Sequence, residues 1–80
     1  MSTFYLRKFD ENNVRDWFWD IDINFWMHDI LNSKRKICEV VHVLNEEGIK
    51  VVMEVLESWD GPLNSFAYFE IRKRLCEHFE

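Results

Sequence analysis

The stretch from Asn13 to Ile30, NVRDWFWDIDINFWMHDI, constrains this chain more than any other, because its apolar residues fall on two faces. At about 100° per residue, Val14, Trp17, Phe18, Ile21 and Phe25 gather within roughly 100° of arc, the pattern of a helix side turned to a core. Trp19, Ile23, Trp26 and Ile30 make a second stripe on the opposite side. Asp16 and Asp20 lie on one flank between the stripes, Asp22 and Asp29 on the other. A helix with two apolar faces must bury both. The second face is either covered by the N-terminal arm or the last helix, as aromatic stripes usually are, or offered to a partner as an interface.

The 80 residues are read as a single domain, 1–80. A domain of this size buries only about two thirds of its unfolded surface, which leaves no room for a deep cleft beside a core. Two glycines and one proline are too few for a turn-rich β architecture. The fold class expected is all-α, a compact bundle of about four helices (13–80) behind a short extended arm (1–10).

Along the chain, Thr3 to Phe9 is aromatic and β-prone, a short strand or an arm lying on the helices. Asn12 or Asn13 is the candidate N-cap of the first helix, which runs to about Asp29. Ser33 is positioned to cap a second helix over roughly Lys34 to Leu44, where Ile37, Val40, Val41 and Leu44 share one face. Asn45 caps a third, with Glu46 and Glu47 favourably placed in its first turn. Its inner face reads as Ile49, Val52, Leu56 and Trp59, widened by Val51 and Val55. Asp60-Gly61-Pro62 is the strongest break in the chain. A last helix follows from about Ser65, with Tyr68, Ile71, Leu75 and Phe79 on one face.

Several chemistries lack a signature. There is no glycine-rich phosphate loop, GxSxG, HExxH or CxxC, and no spacing selects an acid–base pair among the carboxylates, so catalysis and cofactors are not expected. Cys38 with His42 and Cys76 with His78 are two Cys–His pairs with metal-ligand chemistry. Four convergent ligands would have to come from distant segments, so buried thiols and surface histidines are expected instead. Two cysteines are too few for a disulfide scaffold, which points to reduced thiols in an intracellular protein, cytoplasmic or nuclear. No apolar run reaches the ~18 residues of a membrane span. Lys34-Arg35-Lys36 and Arg72-Lys73-Arg74 could form a nucleic-acid patch if folding joined them. Against that, the formal net charge is −5, and pairing with Glu39, Glu70 or Glu77 is the simpler expectation.

The order of the landmarks carries a resemblance. Phe9 is followed by Asn13, Trp17-Phe18 and Phe25; then come Ile30, Lys36 with Val40 and Leu44, and Val52 with Leu56; after the Gly-Pro break stand Tyr68, Ile71-Arg72, Leu75 and Phe79. Over about Leu6 to Phe79 this resembles the N-terminal lobe of the capsid region in Gag polyproteins of gypsy-type LTR retrotransposons, whose domesticated relatives include Arc-type capsid proteins. The resemblance implies a small all-α lobe without catalysis, acting in capsid-type subunit contacts or in gripping short peptides. It makes Phe9, Trp17, Phe18, Phe25, Val40, Leu44, Leu56, Tyr68, Ile71 and Leu75 fold residues. The family's C-terminal lobe and its CxxCxxxxHxxxxC zinc knuckle do not follow, so a complete shell is not expected from this chain alone. The stripe of Trp19, Ile23, Trp26 and Ile30 is richer in tryptophan than the family pattern, and a symmetric dimer through it is the simplest partner arrangement. An unrelated acidic helical adaptor in chromatin or RNA regulation remains the alternative.

Overall fold

The computed structural model describes residues 5–80; Thr3 and Phe4, expected at the start of the arm, lie outside the described residues. Four helices follow one another: α1 (Val14–Met27), α2 (Ser33–Val43), α3 (Glu46–Ser58) and α4 (Ser65–Phe79). No strand occurs among the described residues. The radius of gyration of 12.1 Å matches the ~12 Å expected of a compact chain this long. The protein is an all-α four-helix bundle.

Three of the helices begin the same way. The side chains of Asn32, Asn45 and Asn64 accept the backbone N–H groups of Arg35, Gly48 and Phe66 with Ala67, satisfying donors that a helix start leaves open. Ser33, expected as the cap of α2, is instead its first residue. Asn13 precedes α1 but makes no side-chain cap bond; Asp10 and Asn12 shape the turn before it.

The organising element is α4, which packs against each of the other three helices. Trp17, Phe18, Ile21, Phe25, Val40, Val52, Ala67, Ile71 and Leu75 are buried almost completely, with Val14, Leu44 and Tyr68 around them. Phe9, Leu56 and Phe79, expected in the core, are only half-buried and pack along its edge. The arm covers the first face of α1: Phe9 donates its N–H to the carbonyl of Val43 at 2.9 Å, and its ring meets Trp17 and Phe79 edge-on, both at 4.9 Å. The Trp17 indole donates to the carbonyl of Arg7 at 2.9 Å.

The inner face of α3 is turned from the one expected. Gly48, Val51, Val52 and Val55 point inward at i, i+3, i+4 and i+7, and Ile49, Leu56 and Trp59 sit at the margin. Gly48 lies on this inward side, where a Cβ would stand 3.1 Å from Leu44 Cδ2 and 3.2 Å from Asn45 Oδ1. Beyond α3, Trp59 donates its indole N–H to the carbonyl of Pro62 at 3.0 Å and closes the Asp60–Pro62 turn, where Gly61 takes φ 122°.

Candidate interaction surface

Helices α1 and α4 lie antiparallel. At one end Arg15 of α1 pairs with Glu80; in the middle Asp22 accepts from both Tyr68 and Arg72; at the other end Phe25 meets Tyr68. The Arg72 guanidinium also lies 5.6 Å from the ring centroid of Phe18. The Asp22 carboxylate therefore ties the outer side of the two helices together above the core.

On that outer side the second stripe stands in solvent. Trp19 is 67% exposed and Trp26 77%, and Ile23 between them is also exposed. The arm shields Trp17, one face away. Ile30, expected in the stripe, is 3% exposed and belongs to the core. The helix ends before it. His28 is the C-cap, Asp29 takes φ 54°, Ile30 N–H reaches back to the carbonyl of Phe25 at 2.9 Å and Asp29 N–H to that of Trp26 at 3.2 Å. This is a Schellman ending; it reverses the chain and swings Ile30 from the outer stripe into the interior.

The face extends onto α4, through residues that the reading of the sequence passed over. Phe69 and Phe66 are 57% and 71% exposed. Their i, i+3 spacing, on the side of α4 away from Ile71 and Leu75, was the available signal. Trp19, Phe69, Arg72 and Cys76 line an open groove of about 730 Å³ between the helices. A smaller one of about 260 Å³ continues past Phe69 and Arg72 to Trp26 and Leu31. Burial pushes the Cys76 thiol up, against the pull of Arg15 and Arg72, so it is a lining group rather than an activated nucleophile.

The basic triplets are largely occupied. Arg72 is held by Asp22, Lys73 stands 4.0 Å from Glu77, and Arg74 stands 3.8 Å from Glu70 and 4.0 Å from Glu54. From the other triplet, Lys36 rests over the ring of Tyr68 at 5.6 Å and joins Arg72 at the smaller groove. Lys34 and Arg35 are exposed at the start of α2. Cys38 is exposed rather than buried, because Ile37 and Val40 take the inward positions of α2. The His78 ring sits 2.9 Å from Glu47. Among the described residues no group of three or more His, Cys, Asp or Glu is placed to hold a metal ion, and no helix is long and apolar enough to cross a membrane. Comparison with known proteins finds no matching family, no similar curated protein and no similar solved structure.

Proposed function

We propose that this domain is a non-enzymatic protein–protein interaction module of the Gag capsid N-lobe type, working inside the cell through the outer face of α1 and α4, by self-association or by recruiting a protein partner. One observation carries the reading: Trp19 and Trp26 project into solvent from the same helix that buries Trp17 completely. A monomeric surface rarely holds a contiguous apolar patch beyond about 300–600 Å², and larger ones mark interaction sites. Tryptophan is also the residue type most enriched at interface hot spots. The Gag-type assignment draws its support from the landmark order. Phe9, Trp17, Phe18, Phe25, Val40, Leu44, Leu56, Tyr68, Ile71 and Leu75 all pack in the core or against it.

Light scattering behind size exclusion tests the self-association arm over a wide concentration range. The chain is expected to run as a species larger than a monomer that dissociates on dilution. Trp19→Asp with Trp26→Asp is expected to give a folded helical monomer. A double variant that stays helical and assembles like the parent would remove the face from the mechanism.

A further inference from the structure

The exposed surface is broader than the stripe on α1, and its extent and charge select an occupant. Building on the self-association reading, we propose that the α1–α4 face is an isologous contact: a second copy of this chain covers it with its own α1–α4 face. Three exposed rings line its grooves, Trp19 and Trp26 on α1 and Phe69 on α4. A large aromatic side chain offers about 150–250 Å² for burial, so at their exposures these rings supply roughly 300–500 Å² per copy. Ile23, Met27 and Leu31, also exposed, bring the face towards the ~800 Å² per partner of a stable contact.

Charge points to the same occupant. The chain as a whole carries −5, but the grooves hold a mixed set, Arg15, Lys36, Arg72 and Lys73 beside Asp16, Asp22 and Glu77. A strongly acidic or basic partner meets no complementary field there. A copy related by a two-fold axis presents the same mixed set, so cations of each copy can face carboxylates of the other. The geometry is self-complementary as well. Trp26 stands about 10 Å along α1 from Trp19, while the wide groove lies at the Arg15–Cys76 end. A two-fold that sets the α1 helices antiparallel places Trp26 of each copy over the wide groove of the other.

Cys76 lines that groove and Cys38 is exposed on α2, so the native chain carries its own probe and control. Thiol alkylation is followed by mass spectrometry from micromolar to near-millimolar chain, alongside light scattering. Alkylation of Cys76 is expected to slow as the dimer forms, by a factor that tracks the dimer fraction, while Cys38 keeps its rate. Phe69→Asp is expected to abolish both the dimer and the protection. Met53→Asp, on exposed α3 surface, is expected to preserve both. A dimer that leaves Cys76 unprotected, or that survives Phe69→Asp, overturns the proposed contact while self-association stands. A monomer at every concentration overturns both. If Phe69→Asp loses its helical circular dichroism, protection in the native chain decides alone.

Discussion

The Tyr68 hydroxyl on α4 donates to the Asp22 carboxylate on α1 at 2.7 Å, and Arg72 donates to the other oxygen of the same carboxylate. Tyr68 itself is buried, so its hydroxyl depends on this one acceptor. Asp22→Ala is therefore expected to cost about 1–3 kcal/mol, the range for stranding a buried polar group. Tyr68→Phe, which removes donor and demand together, is expected to cost less. Urea midpoints at constant slope would show the order; equal midpoints for the two variants would contradict it.

Burial, reinforced by the negative charge of Asp22, raises the Tyr68 phenol well above its ordinary value. A group whose folded pKa is raised adds stability that is complete below its unfolded pKa, about 10, and declines as pH rises past it. The chain is expected to lose stability above that pH. In a Tyr5→Phe background, tyrosinate absorbance is expected to appear together with unfolding. Tyrosinate formed while the helical circular dichroism is intact would show the phenol to be accessible.

The two faces of α1 are expected to respond oppositely to truncation. Trp17 is fully buried, and Trp17→Ala should cost about 3–5 kcal/mol. Trp26→Ala, measured at a dilution where the chain is monomeric, should fall within about 0.5 kcal/mol of the parent. Chemical denaturation of both variants measures the contrast, and a large loss for Trp26→Ala would make it a core residue.

Asp29 holds the left-handed position of the Schellman ending, where glycine is the residue without a Cβ penalty. It also sets a negative charge at a helix C-terminus, the unfavourable end for an anion. Asp29→Gly relieves both and is expected to stabilise the chain by up to about 1 kcal/mol. A rise in Tm without change in helical content is the expected result, and a fall would mean that the carboxylate contributes more than its backbone strain costs.

The asparagine caps offer an internal comparison. Asn45→Ala removes the bond from Gly48 N–H at 2.8 Å and is expected to cost about 1 kcal/mol. Asn13, which makes no such bond, is expected to tolerate alanine better. Thermal unfolding of the two variants tests whether the cap bonds, rather than the residue type, provide the stability.

The residue pattern was enough for the four helices, their approximate limits, the breaks at Asn45 and Asp60–Pro62, and the inner faces of α1 and α4. Those features are local: a 3.6-residue period, a capping side chain and a Gly-Pro break each act within a few residues. What lies opposite a stripe depends on residues far away in the chain, and it emerges only when the helices and the arm pack together. The arm turned out to shelter Trp17 and to leave Trp19 and Trp26 exposed, because Arg7 and Phe9 meet the first face. Ile30 left the stripe through the backbone reversal at Asp29, which residue spacing does not encode. The inward side of α3 moved to Val51, Val52 and Val55 as the helix packed against α4 and α2, and α4 rather than α1 became the central helix. Phe69 became part of the outer face because α4 lies antiparallel beside α1, and that pairing is a property of the folded chain, set by contacts such as Tyr68 with Asp22, some forty-six residues apart.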